Sequence, residues 1–174
     1  MCSDVEGKVF AFRFRCARCG SCCSEMPKGV PLYHGDIEGI ARRIGIPTHD
    51  FVADFCDVDE HRIESEEKGV VHIPVIYLKT SDGKCVFFKE KGCSVHEVKP
   101  YNCKAAPFIS LVFQSESWIR SLKHNCKGYG RGPFYTKRRI RQQLEEEAKL
   151  EEAEWAWFDS GYYDRLIQFS PKGG

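Results

Sequence analysis

Four thiols fall within eight residues, in the run Cys16-Ala17-Arg18-Cys19-Gly20-Ser21-Cys22-Cys23. Two residues separate each of the first three, a spacing that lets a tight loop turn several sulfurs toward one centre while Gly20 eases the backbone. Cys16, Cys19 and Cys22 reproduce the opening of a bacterial ferredoxin run, but the fourth thiol follows at once, at Cys23, instead of three residues later. Side chains of adjacent residues rarely point the same way, so Cys23 is expected to serve a second centre or to stand beside the first. Four later cysteines, Cys85, Cys93, Cys103 and Cys126, each lie beside turn residues or prolines. Together the eight divide into two four-sulfur sites, which suits two 4Fe-4S clusters or two zinc ions; one centre would leave several thiols without a metal role. Ferredoxin-like spacing, with no histidine at zinc-finger spacing, favours iron-sulfur, and zinc is the alternative cofactor. Cys2, near the terminus, and Cys56, in a segment read as helical, are set aside, Cys56 as a buried apolar thiol.

Other chemical groups are subordinate to the thiols. His96 and His124 lie near Cys93 and Cys126, but a lone histidine more often supports a ligand or sits on the surface, so both stay outside the ligand set. Arg13, Arg15 and Arg18 surround the first cluster, where they offset the negative charge of a thiolate-bound centre; the bland reading is surface solubility. Lys137-Arg138-Arg139-Ile140-Arg141 is one basic patch, and the acidic residues that follow it favour a solvated helix face over a nucleic-acid footprint. No local motif builds a nucleophilic arrangement of Ser, His and Asp, so catalytic residues and a substrate stay unassigned and the question of enzyme activity stays open.

Composition sets the compartment and the class of partner. In 174 residues, 26 Lys and Arg against 25 Asp and Glu leave a net charge of +1, which gives no electrostatic reason to expect nucleic acid. Ten cysteines are many for an intracellular chain. The opening Met1-Cys2-Ser3-Asp4-Val5-Glu6-Gly7 lacks the basic-then-apolar layout of a secretory signal, and no stretch approaches a membrane span. The expectation is therefore a cytoplasmic protein whose closely spaced thiols hold metal rather than disulfides.

The elements that must position these thiols follow from periodicity. Residues 9 to 15 alternate Phe with small or basic residues and predict a short strand running into the cluster, its Phe side chains walling one side of the site. Asp36 precedes Ile37, Ile40, Ala41 and Ile44 at helical spacing, with Gly45 and Pro47 as the stop; a second short helix from Thr48 buries Phe51 and Phe55, and the two form a helical hairpin. Residues 69 to 79 read as a strand, with Pro74 favouring an edge or a bulge. A turn at Ser81-Asp82-Gly83 leads to a strand at Cys85-Val86-Phe87-Phe88, and a turn through Gly92 returns to Cys93, so one hairpin carries two cysteines. Thr136 caps a long helix in which Ile140, Leu144 and Ala148 recur every fourth residue. Glu145 and Lys149 are spaced as a weak surface pair, and the charged run is read as a solvated face. The aromatic end, Trp155, Trp157, Phe158, Tyr162 and Tyr163, docks on the core or on a protein partner. The expected fold is α+β: a small irregular domain over residues 1–135 with cysteine-bearing loops and a hairpin around the metal, followed by a helical extension over 136–174.

These residues resemble a known family, the YkgJ-type cysteine-cluster proteins described as zinc- or iron-chelating, whose hallmark is the CxxCxxCC run. Cys85-Val86-Phe87-Phe88 and Cys93-Ser94-Val95-His96-Glu97-Val98-Lys99-Pro100-Tyr101-Asn102-Cys103 are similar to its second block, an aromatic-flanked cysteine, a further cysteine and a basic-Pro-x-x-Cys element. Ala106-Pro107-Phe108 resembles its Pro-Phe ending, and Cys126-Lys127-Gly128-Tyr129-Gly130-Arg131-Gly132 its closing cysteine and glycine-rich turn. The match runs over roughly residues 12 to 140. Lys99 stands where arginine is usual, which removes the fork needed for a bidentate contact. The resemblance implies metal binding without a fixed reaction. Flagellin lysine methylases carry a similar block in longer chains, but here the glycine-rich stretch lacks the strand-then-helix setting of a nucleotide loop, so methyl transfer by this chain alone is not expected. The leading expectation is an iron-sulfur protein, with one or two 4Fe-4S clusters, that passes electrons or supports a larger enzyme or assembly system. A zinc-stabilised module presenting its C-terminal helix to a protein is second, and a component of a protein-modifying enzyme is third.

Overall fold

A computed structural model describes residues 7–24, 28–65, 69–90 and 92–168, so Cys2 lies outside the described residues. The fold is α+β, built from helices and small antiparallel strand pairs. The chain forms two compact units that interleave in sequence: Met1–Cys22 with Ala105–Glu152, and Cys23–Lys104 with Ala153–Gly174.

In the first unit the alternation of residues 9 to 15 becomes strand β1, Phe12–Phe14, with Phe12 and Phe14 buried and Arg13 exposed between them. The rings pack on neighbouring aromatics, Phe12 on Phe108 with centroids 5.4 Å apart and Phe14 edge-on to Phe108 at 5.5 Å. Such pairs add about 0.5–1.5 kcal/mol each beyond area burial. Thr136 caps the helix Lys137–Asp159 as expected, its Oγ1 accepting from the Arg139 N–H at 3.2 Å. Ile140 is fully buried on this helix, whereas Leu144 and Ala148 are half-buried.

The solvated-face reading of the charged run fails at two positions. Glu147 and Glu154 are each only 3 % exposed. Glu147 lies in the first unit and accepts from the backbone N–H of Ser110 at 2.6 Å and from its hydroxyl at 3.3 Å, capping the short helix Ser110–Gln114. Helix starts leave unpaired N–H groups, and a carboxylate from a distant segment answers one of them here.

The second unit holds a core of Leu32, Ile37, Ile40, Phe51, Val52, Ile76 and Leu78 with Tyr163 and Leu166. Its helices His34–Ile44 and Thr48–Phe55 form the expected hairpin. Asp36 stands at the third position of the first helix and accepts from the N–H of Tyr33 at 3.2 Å and of Tyr101 at 2.9 Å. Gly45, at φ 81°, closes that helix in the left-handed conformation that disfavours other residues. The aromatic tail docks on this core: Tyr163 is buried and Trp157 stacks on the His34 ring at 4.0 Å.

Strand β3, Gly69–Leu78, pairs with β2, Cys56–Ser65, in an unbroken antiparallel register in which Pro74 faces Glu60. This corrects one sequence reading, since Cys56 leaves the helix and opens a strand, and it meets another, since Pro74 takes the edge position that a two-stranded ribbon provides and needs no bulge. Residues 30–32 add to the ribbon's base, with Leu32 N–H bonded to Ile76 and Leu78 N–H to Val30. Beside them Gly29 is obligatory, since a Cβ there would lie 1.6 Å from the Leu78 carbonyl oxygen.

The expected strand over 85–88 is also broken. The chain makes two small hairpins, β4 (Thr80–Ser81) with β5 (Lys84–Cys85) and β6 (Phe88–Lys89) with β7 (Gly92–Cys93). Asp82 and Gly83, both at positive φ, form the turn of the first hairpin. Phe87, between the hairpins, leaves the strand path to bury itself against Phe51 and Phe55.

Candidate metal centre

In the first unit, Cys16 and Cys19 are exposed on the loop that follows β1, and Cys22 is exposed on the short helix Ser21–Ser24 that ends it. Arg18 and Gly20 take left-handed conformations, φ 51° and 77°, and so curl the chain around the sulfurs. The Arg18 N–H donates to Cys16 Sγ at 3.4 Å. One step later the pattern repeats. Cys19 Sγ stands 3.4 Å from the Ser21 hydroxyl, and hydrogen bonds from the side chain and then the backbone of Ser21, with a smaller contribution from Lys127, lower the Cys19 pKa from its ordinary value. Amide donors two residues beyond a cysteine stabilise the thiolate, which is the form that binds metal.

Cys126 joins this unit at the end of helix Glu116–Asn125. It opens a turn in which the Tyr129 N–H bonds to the Cys126 carbonyl at 3.0 Å, and the Arg15 N–H bonds to Gly128 at 3.2 Å. The turn carrying Cys126 is thereby tied to the residue that precedes Cys16. Beyond it, β8 (Tyr129–Tyr135) pairs antiparallel with β1. Gly128 packs against β1 so closely that a Cβ would lie 2.5 Å from the Arg15 carbonyl oxygen. The glycine-rich stretch is a close approach of two backbones. Phe12 and Phe14, expected to wall the site, lie buried on the inner face of β1, the strand that leads into the cysteine loop.

The second unit contains Cys23, Cys85, Cys93 and Cys103, all half-buried. Cys85 and Cys93 sit on neighbouring hairpins joined through Phe87, whose carbonyl accepts from the Ser94 N–H at 2.9 Å. Burial raises the Cys85 pKa, and the nearby Cys93 adds to the rise. Cys103 lies on the short helix Tyr101–Ala105, whose residue Asn102 bonds the Pro31 carbonyl at 3.1 Å. Cys56 is an inert core thiol, 1 % exposed, its pKa pushed up to about 12 by desolvation. His96 and His124 are exposed.

The donor set has the chemistry of a thiolate metal site: soft sulfur ligands at two-residue spacing with N–H groups aimed at them. Among the described residues, however, no three His, Cys, Asp or Glu side chains converge closely enough to hold one ion. Sequence reading found the thiols but missed the Arg18 and Ser21 donors, which the cysteine spacing itself makes predictable. It also missed Glu147 and Glu154, for which no local signal exists.

No helix among the described residues is long and apolar enough to cross a membrane. No solved structure matches the chain. A curated relative, the uncharacterized protein MJ0939 of Methanocaldococcus jannaschii, is 24% identical over 135 residues, 77% of this chain and 43% of that protein. The chain thus spans less than half the length of this relative. A model of the CxxCxxCC family, described as a "putative zinc- or iron-chelating domain", matches residues 15–153, and the chain belongs to this family of metal-binding domains.

Proposed function

We propose that the protein holds iron-sulfur clusters on its thiolates, one centre in each compact unit, and that it passes electrons or serves as an accessory subunit of a larger enzyme or assembly system. The observation that carries this reading is the boundary between the units. It falls within the short helix Ser21–Ser24, between Cys22 and Cys23, and leaves Cys16, Cys19, Cys22 and Cys126 on one side and Cys23, Cys85, Cys93 and Cys103 on the other. Adjacent cysteines cannot easily serve one ion, and this division lets them serve two. Ferredoxin-like spacing of the first three thiols favours iron-sulfur over zinc.

A bound cluster would supply one-electron chemistry. The protein's own part is to donate the Arg18 and Ser21 N–H groups to sulfur, to place Lys127 near the thiolates, and to back the loop with the buried Phe12 and Phe14. Hydrogen bonds to sulfur and nearby positive charge are the levers that set a cluster's potential. Because Cys16, Cys19 and Cys22 are exposed, loading requires these side chains to turn inward, so metal binding and ordering of the loop are coupled.

Metal and acid-labile sulfide content of anaerobically purified protein, with its visible spectrum, tests the proposal. Iron with matching sulfide and a reducible absorption band is the expected result. Zinc without sulfide would overturn the redox reading and make the domain a structural module.

A further inference from the structure

The near-neutral charge of the whole chain conceals a segregation within the first unit. Residues 7–24 contain four Lys or Arg and no acidic residue, and residues 117–144 contain eight and none. The fold joins these two segments. β1 pairs with β8 so that Arg13 lies opposite Phe134, and Arg15 bonds to the turn at Gly128. The inner face of the ribbon is aromatic and buried, which leaves its basic residues on the outer face.

The strip runs along the ribbon from the long helix to the cysteine loop. Arg139 stacks over the Tyr135 ring at 4.6 Å, where the long helix begins. Next comes Arg13, whose guanidinium donates to the Gly132 carbonyl at 3.0 Å, alongside Phe134, which is 53 % exposed. Arg15 packs against Gly132, next to the exposed Arg131, and the strip ends at Lys127, whose charge reaches Cys19. Among the described residues of this unit, the acidic side chains lie elsewhere in sequence, at Glu116 and from Glu145 onward along the long helix.

We propose that this strip is a docking surface for an acidic segment of a partner protein, with an apolar residue of that segment seated on Phe134. An exposed aromatic ring set among arginines has the composition of an interface hot spot. Arginine forks match carboxylates, and a uniformly basic strip steers an acidic partner toward the cysteine loop at its end. The same charge would attract single-stranded nucleic acid, but that ligand needs successive rings on which to stack bases. Here Phe12 and Phe14 are buried, Tyr129 and Tyr135 are half-buried, and Phe134 alone among the ribbon's aromatics faces solvent. The inference rests on the ribbon and its charge, and is independent of which metal the thiols bind.

The test uses the full chain as purified and two fluorescent probes of equal negative charge, a short Glu-rich peptide containing leucines and a mixed-sequence single-stranded oligonucleotide. The peptide is expected to bind more tightly than the oligonucleotide, with affinity that falls as salt rises. Phe134→Ala should weaken the peptide about tenfold, as removal of a hot-spot residue does, and leave the oligonucleotide unchanged. Arg131→Glu, at a second exposed position, should weaken both. Tighter oligonucleotide binding that depends on Phe134 would overturn the proposal in favour of nucleic acid. Absence of salt-dependent peptide binding, or peptide binding indifferent to both substitutions, would reduce the strip to a solvated face.

Discussion

The two units hold their cysteines in opposite environments. In the first, Cys16, Cys19 and Cys22 stand in solvent, with Cys126 half-buried, and local donors push Cys19 toward the thiolate. In the second, thiols are half-buried on hairpins, and desolvation holds Cys85 toward the neutral thiol. A ligand set can thus be prepared by hydrogen bonds without burial, or by burial without prior ionisation. The first arrangement favours fast exchange and the second favours retention, because a buried thiol must lose its proton to bind and its metal must be uncovered to leave.

The widest separation of the two units would come from single-ligand variants. Cys19→Ser and Cys85→Ser are each expected to remove about half of the bound metal, and the double variant nearly all of it, as two independent four-thiolate sites require. Metal analysis of the folded variants reads this directly. Loss of all metal from either single variant would mean one shared centre and would break the comparison.

A second contrast sets the buried glutamates of one helix against each other. In the second unit Glu154 accepts from the His34 ring at 2.5 Å, from the His34 N–H at 3.2 Å and from the Tyr163 hydroxyl. Removing it leaves the buried Tyr163 hydroxyl and the half-buried His34 donors without this acceptor. Glu154→Ala is expected to lower stability by about 3 kcal/mol, the scale for breaking a buried hydrogen-bonded pair. Denaturant unfolding with an unchanged midpoint would show that water replaces the carboxylate.

Thiol chemistry compares the units more finely. In metal-stripped protein at mildly alkaline pH, Cys19 should react with iodoacetamide about tenfold faster than Cys85, since both exposure and thiolate fraction favour it. Peptide mapping after timed quenching would measure the ratio. Equal rates would mean that the second unit opens without metal.

Much of this was legible in the sequence where the cause is local. The Thr136 cap, the helix stop at Gly45 and the strand between Val9 and Cys16 each depend on a few neighbouring residues, and each was read correctly. The ligand candidates were legible because spacing and sulfur chemistry are local as well. What escaped reading depends on distant partners. β2 was hidden because Asp57, Asp59, Glu60 and Arg62 give it little of the β-branched composition of a strand, and pairing with β3 overrides that weak propensity. Glu147 and Glu154 sat in a run whose composition reads as solvated, and partners that include Ser110 and His34, far away in sequence, give them a reason to be buried.

Glu147 offers the smallest and most specific test of that difference. It accepts from the neutral donors of Ser110, and burial, with a further contribution from Glu151, raises its pKa to about 7. The folded protein therefore keeps a proton on this carboxyl over a pH range in which the unfolded chain, with an ordinary value of 4.5, has lost it. By linkage, stability from this group is complete below pH 4.5, declines as pH rises, and is lost once pH passes about 7. Glu147→Gln keeps an acceptor for the Ser110 N–H and removes the titration. At pH 8 the variant should be more stable than the parent by about 1–2 kcal/mol, with the advantage vanishing near pH 4.5. Thermal unfolding across this range decides the matter: parallel pH profiles would mean that the Ser110 hydrogen bonds hold Glu147 ionised.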